Sequence, residues 1–137
     1  MAIEEADGRA RIVDAGRGTA QARGAEAEAL ACQYLACNGV RILERNLRCR
    51  GGEIDVIGID RDTLVFVEVR LRTGVRFGGP AESITAHKRR RITHAARWWL
   101  AHEGRRHACR PCRFDAILLS SLDIRTIEWL RAAFVDP

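Results

Sequence analysis

The chain has 137 residues, with 23 Lys and Arg against 18 Asp and Glu and a formal net charge of +5. That length suits one domain with a core of its own, and 47% apolar with 30% charged residues is an ordinary globular balance. No apolar run approaches the roughly 18–20 residues of a membrane span, so multidomain enzymes and membrane proteins fall away and no membrane partner is expected.

Residues 1–18 mix small, acidic and arginine side chains with three glycines and hold no hydrophobic stretch. They read as a flexible tail without a secretory leader, followed by a single domain over residues 19–137, and a cytoplasmic location is expected. The basic charge is uneven. Between His87 and Arg113 nine bases stand against one acid, Glu103. Such a stripe suits a polyanion, nucleic acid first, or a merely solvated helix face. Lys88 is the sole lysine; the other 22 bases are arginine.

The elements follow from hydrophobic spacing. Thr19 to Asn38 reads as a helix, with Ala27, Leu30, Ala31, Tyr34 and Leu35 on its apolar stripe and Asn38-Gly39 as its stop. Glu26, one turn before Leu30, is placed on the edge of that stripe with its carboxylate aimed inward. Three strands are predicted at Val40 to Asn46, Glu53 to Ile59 and Leu64 to Arg72, with turns at Arg48 to Gly52 and Asp60 to Asp62. In the second strand Ile54 and Val56 are expected on one face. In the third, Val65, Val67, Val69 and Leu71 share one face, and Leu64, Phe66, Glu68, Arg70 and Arg72 the other. That density suggests a central strand covered on both sides.

A Gly-rich loop from Arg72 to Pro80 leads to a second helix, starting between Ala81 and Ala86 and ending near His102. Ile92, Ala95, Ala96, Trp99 and Leu100 form its apolar stripe, and Lys88 shares the inward edge while Arg89 and Arg90 do not. A fourth strand is expected at Arg113 to Leu119. A last element at Ile124 to Phe134 reads as a strand running into a turn. The order predicts an α/β or α+β sandwich, a mixed sheet with a helix on each face.

Two carboxylates interrupt apolar strands, Asp55 between Ile54 and Val56 and Glu68 between Val67 and Val69. Charges in such places are costly unless paired or bound to a metal. A hairpin would bring Asp55 and Glu68 nearly opposite each other. A cation between them would relieve their repulsion, and hard oxygen ligands suit Mg²⁺ or Mn²⁺. Arg70, on the face of Glu68, would hold a phosphate or developing negative charge. A buried ion-pair network with Arg70, Arg72 or Arg113 accounts for the same residues, and spacing alone leaves both readings open.

Five cysteines, an odd number, argue against a disulfide framework. Cys109-Arg-Pro-Cys112 with His107 nearby offers one ligand pair, and Cys32, Cys37 and Cys49 lack the spacing for a second. Partly buried thiols are the plainer reading. Arg113 and Asp115 are expected to pair, Trp99 to be core and Trp98 more exposed, and His87, His94 and His102 to lie on the surface.

Gly52-Glu53-Ile54-Asp55-Val56-Ile57 followed by Leu64-Val65-Phe66-Val67-Glu68-Val69-Arg70-Leu71-Arg72 resembles the YraN-type uncharacterised family of small bacterial proteins (UPF family 0102). That signature is similar to the PD-(D/E)xK nuclease superfamily. Gly24 with Glu26 before Tyr34-Leu35, Asn46, Phe77-Gly78-Gly79, Lys88, Ala95-Ala96-Arg97, Cys112-Arg113-Phe114-Asp115 and Ile127-Glu128-Trp129-Leu130 fall in the same order. The resemblance spans about Arg23 to Phe134. It implies a restriction-endonuclease-like α/β sandwich, with Asp55 and Glu68 as the Mg²⁺- or Mn²⁺-binding acids and Glu26 as a helix-borne third acid.

The motif's lysine slot holds Arg70, which cannot act as a general base because its pKa stays above 12. Lys88 would reach the site from the second helix. Arg72, Arg89, Arg90, Arg91 and Arg113 would contact nucleic acid, with DNA placed ahead of RNA. The expected function is a metal-dependent nuclease directed to structure or ends rather than sequence. The alternative is a catalytically silent nucleic-acid-binding or complex-assembly protein on the same fold.

Overall fold

A computed structural model describes residues 19–72 and 84–135. The tail at residues 1–18, most of the Gly-rich loop and Phe77-Gly78-Gly79 lie outside the described residues. Helix α1 (Ala20–Cys37) is followed by strands β1 (Val40–Cys49), β2 (Gly52–Asp60) and β3 (Thr63–Leu71), helix α2 (Ala86–Ala101), and strands β4 (Cys112–Leu119) and β5 (Glu128–Phe134). The five strands form one sheet in sequence order. Only β3 and β4 run parallel, and α2 lies in the connection that such a pair requires. This is an α/β architecture with a mixed sheet, and it fits the restriction-endonuclease-like sandwich expected.

Polar side chains set the helix starts. The Thr19 hydroxyl accepts from the Ala22 N–H at 2.9 Å, and the Thr85 hydroxyl accepts from the Lys88 N–H at 3.1 Å. Helix α1 ends where Gly39 takes φ +91, a left-handed value that suits glycine. At the C-terminus the order is the reverse of that expected. A 3₁₀ turn over Ile124–Thr126 comes first and the strand follows it.

Two apolar layers flank the sheet. Ala27, Ala31 and Leu35 of α1 pack on Val40, Val56, Val65, Val67, Ile117 and Leu119. On the other face Ile92, Ala95, Ala96 and Trp99 of α2 pack on Ile54, Ile57, Leu64 and Phe66. Trp99 and Phe66 meet edge to face, ring centroids 6.3 Å apart, a geometry worth roughly 1 kcal/mol beyond area burial. Ile54 and Val56 therefore face opposite layers, correcting the expectation that they share one. Asn46, across from Asp55 in the β1–β2 register, has φ +54. A local irregularity at that level flips the side-chain alternation, so Ile57 rather than Val56 continues the face of Ile54.

The β1–β2 turn presses hard on α2. A Cβ added at Gly52 would collide with the Arg91 carbonyl oxygen and stand 3.0 Å from the Ala95 backbone nitrogen. One at Gly24, inside α1, would meet nothing within 4 Å. Urea unfolding should therefore separate the two glycines. Gly52→Ala is expected to destabilise by about 1–3 kcal/mol, because backbone must move, and Gly24→Ala to stabilise by about 0.5–1 kcal/mol through helix propensity. Equal midpoints for the two variants would contradict this packing.

Candidate active site

The site begins where a ladder stops. Pairing between β2 and β3 runs from Asp60–Thr63 to Val56–Val67 and goes no further. The next backbone donor on β3, the Val69 N–H, is taken by the Asp55 side chain at 2.8 Å. Asp55 is thus fixed in the mouth between two strands, and a cavity of about 450 Å³ opens there. Gly24, Ala27 and Glu28 of α1, Asp55, Glu68, Arg70 and Lys88 line it, among others. It combines residues from both helices and the two central strands.

Three carboxyls converge. Asp55 lies in hydrogen-bonding contact with both Glu28 and Glu68. Burial, followed by repulsion from Asp55, pushes the Glu68 carboxyl from its ordinary 4.5 to about 7. Burial and Asp55 likewise raise Glu28 to about 7, against a hydrogen bond with Asn46 and the nearby Arg45 charge. Glu68 is 4% exposed, yet its nearest cations are at 3.7 Å, Lys88 Nζ and an Arg70 guanidinium nitrogen. Those distances are too long for hydrogen bonds. Lys88 is held elsewhere, 3.0 Å from Glu53 Oε2. Burial works against its charge, but Glu53, Glu68 and Asp55 outweigh burial and raise its pKa, so Lys88 stays protonated. That bond from Lys88 also draws the Glu53 carboxyl below its usual range.

A second buried acid provides a comparison. Asp115 is 0% exposed and accepts from Arg113 Nε and Nη2, Trp129 Nε1 and the Ala132 N–H, all between 2.8 and 3.0 Å. It is a fully satisfied structural carboxylate. Glu68, one strand away, has another carboxyl as its hydrogen-bonding neighbour. The contrast separates an acid satisfied by donors from one whose hydrogen-bonding neighbour is another acid.

The structure brings Asp55, Glu68, Arg70 and Lys88 together. It does not bring Glu26 to them. At 100° per residue Glu28 lies roughly 60° from the centre of the buried Ala27–Ala31–Leu35 stripe and Glu26 roughly 140° away, and Glu26 is exposed. Arg113 also lies apart, beside Val65 in the parallel register, and its guanidinium is occupied by Asp115 and Asp60. Arg72 follows β3 directly and bonds through its backbone to Leu119. Arg89 donates to the Ile84 carbonyl, Arg90 is exposed, and Arg91 stands 4.0 Å from Glu53. Glu28 and Glu53 are the members that sequence spacing passed over. The signal for Glu28 was its i+3 and i+7 spacing to Ala31 and Leu35. The five cysteines are free thiols, and Cys109 and Cys112 are exposed.

Among the described residues no group of three or more His, Cys, Asp or Glu side chains is arranged to hold a metal ion by itself. Magnesium does not require one. It is commonly held by one or two carboxylates, with waters and substrate phosphates completing the shell. Asp55 and Glu68 supply the right donors, and the raised proton affinity of Glu68 marks a place where positive charge is missing. The residues present therefore fit such an ion.

These pKa values carry a sign for stability. Carboxyls raised above 4.5 bind protons in the native state that the unfolded chain has already lost. Their presence therefore lowers stability as pH rises from about 4.5 through about 7. With chelator present, Glu68→Gln should match wild type near pH 5 and exceed it at pH 8 by on the order of 1–3 kcal/mol in urea unfolding. The difference between the two proteins cancels the titrating groups remote from Glu68, and a gap independent of pH would contradict the assignment.

Comparison with known proteins places this geometry in a family. The uncharacterised protein family UPF0102 matches over residues 27–119. The chain is 50% identical over 113 residues to a UPF0102 protein of Nitrosomonas europaea, covering 82% of this chain and 92% of that one. It is 50% identical over 111 residues to a UPF0102 protein of Methylobacillus flagellatus, covering 81% and 95%. Against a UPF0102 protein of Stutzerimonas stutzeri it is 44% identical over 115 residues, covering 83% and 95%. No helix among the described residues is long and apolar enough to cross a membrane. The chain belongs to the uncharacterised family UPF0102, the family that its Gly-Glu-Ile-Asp and Val-Glu-Val-Arg segments resemble.

Proposed function

We propose that the protein is a metal-dependent phosphodiesterase acting on nucleic acid, with Asp55 and Glu68 as ligands of Mg²⁺ or Mn²⁺. The observation that carries the reading is Asp55 fixed between two carboxyls whose pKa values are pushed to about 7, in a cavity that also holds Arg70 and Lys88. Perturbed acids in a cleft are what general acid–base chemistry needs near neutral pH. A bound Mg²⁺ would supply Lewis-acid activation of a water and offset the charge of the phosphate.

The chain's own residues do the rest. The Arg70 guanidinium, one-third exposed at the cavity wall, is suited to grip two phosphate oxygens. It cannot take a proton. A carboxylate of the Glu28–Asp55–Glu68 cluster takes the proton of the attacking water as the water oxygen bonds to phosphorus. The bond from phosphorus to the leaving oxygen then breaks, and that oxygen keeps the electron pair and takes a proton from bulk water. Lys88 stays charged and stabilises negative charge as it develops. The basic first turns of α2 meet the backbone without reading bases.

Arginine in the motif's lysine slot favours a second reading, a protein that binds nucleic acid on this fold without turnover. One assay decides. Branched, flapped, single- and double-stranded DNA and RNA are incubated with Mg²⁺, Mn²⁺ or chelator. Metal-dependent cleavage should vanish in Asp55→Ala and Glu68→Ala and fall at least about 100-fold in Glu28→Ala. Glu26→Ala should stay at wild-type rate, and Arg70→Lys should remain active. Absence of cleavage, with salt-sensitive binding retained in every variant, would leave only the binding reading.

A further inference from the structure

A second cavity, of about 510 Å³, lies against the other side of the β1–β2 turn. Gly51, His87, Arg90, Arg91, Thr93 and His94 line it, among others. Its charge is one-sided: no carboxylate is in its lining. The wall is rigid. Gly52 admits no Cβ against the Arg91 carbonyl, and His94 Nε2 lies 2.9 Å from the Arg50 carbonyl oxygen, which ties the imidazole to the turn.

The cavity is tied to the carboxylate cluster. Arg91 approaches Glu53, Glu53 holds Lys88, and Lys88 faces Glu68.

We infer that this cavity is a phosphate subsite, holding a backbone phosphate of a nucleic-acid strand whose neighbouring phosphate lies at the carboxylate cluster. The assignment rests on the nucleic-acid part of the function proposed above and not on turnover. The volume accommodates a nucleotide unit rather than a bare ion, so a polynucleotide is favoured over free inorganic phosphate. Arg90 and Arg91 provide the charge that holds it.

The test is equilibrium binding of fluorescent single- and double-stranded oligonucleotides in chelator, followed across salt concentration. Arg90→Ala should weaken binding about three- to tenfold and reduce the salt slope by about 0.7–0.9, one phosphate contact. Arg91→Ala should do likewise. Arg105→Ala, outside the cavity, should bind as wild type does. Wild-type affinity and slope in both cavity variants would overturn the subsite while leaving the nuclease reading intact. Binding of inorganic phosphate without any binding of oligonucleotide would overturn the polynucleotide assignment and the proposed function together. Cleavage lost in Asp55→Ala alongside unchanged binding by Arg90→Ala and Arg91→Ala would overturn the subsite alone.

Discussion

Everything at the site depends on one backbone hydrogen bond made to the wrong kind of partner. The Val69 N–H stands where a β-ladder would give it a neighbouring strand's carbonyl, and it donates to the Asp55 carboxylate instead. A side chain longer than a carbonyl now separates β2 from β3, and the strands remain unpaired beyond Val56 and Val67. The gap lets groups from both faces of the sheet meet. Glu28 comes from the α1 side and Lys88 from the α2 side, across a sheet that elsewhere keeps its two apolar layers apart. An ordinary ladder continued to Glu68 would have sealed them from each other.

Meeting there brings a charge conflict, resolved only in part. Burial and the Asp55 charge between them hold the Glu28 and Glu68 carboxyls well above the usual range. Two cations stand close, but each is compromised. Arg70 reaches Glu68 only at 3.7 Å, and Lys88 gives its short hydrogen bond to Glu53. Asp115 shows that this chain can satisfy a fully buried carboxylate with four donors. The shortfall at Glu68 is therefore a property of that place and not of the fold. A site left short of positive charge is one that gains from a divalent ion or a proton.

The layered architecture was legible because its signals are local and periodic. The Ile92–Trp99 stripe, the alternation of β3 and the Thr19 and Asn38 boundaries all depend on neighbours within a few residues. What was not legible lies where a third element intervenes. Glu26 and Glu28 flank the same alanine, and only the rotation of α1 on the sheet chooses between them. Leu30 and Tyr34 drew the expected stripe toward Glu26, but the close contact runs along Ala27, Ala31 and Leu35, because small residues let the helix sit down on the sheet. Ile54 and Val56 obey period two until the left-handed Asn46 breaks it. Arg113 carried the same charge as the site arginines, and only the parallel register shows that it belongs to Asp60 and Asp115.

Composition adds one more argument about the cations. Twenty-two of the chain's 23 basic residues are arginine, so the sequence as a whole strongly prefers arginine wherever either cation serves. Lys88 is the exception, and its surroundings give a reason. The ammonium sits between Glu53 and Glu68 at 3.0 and 3.7 Å, with its side chain 25% exposed. Thr85 pins the start of its helix from below. A compact ammonium fits between two carboxylates, whereas a planar guanidinium would demand a bidentate face from one of them. Arg70 is under no such constraint at the cavity wall. The point charge comes from α2 and the fork from β3, so the site keeps two cations of different shape beside one under-satisfied carboxylate.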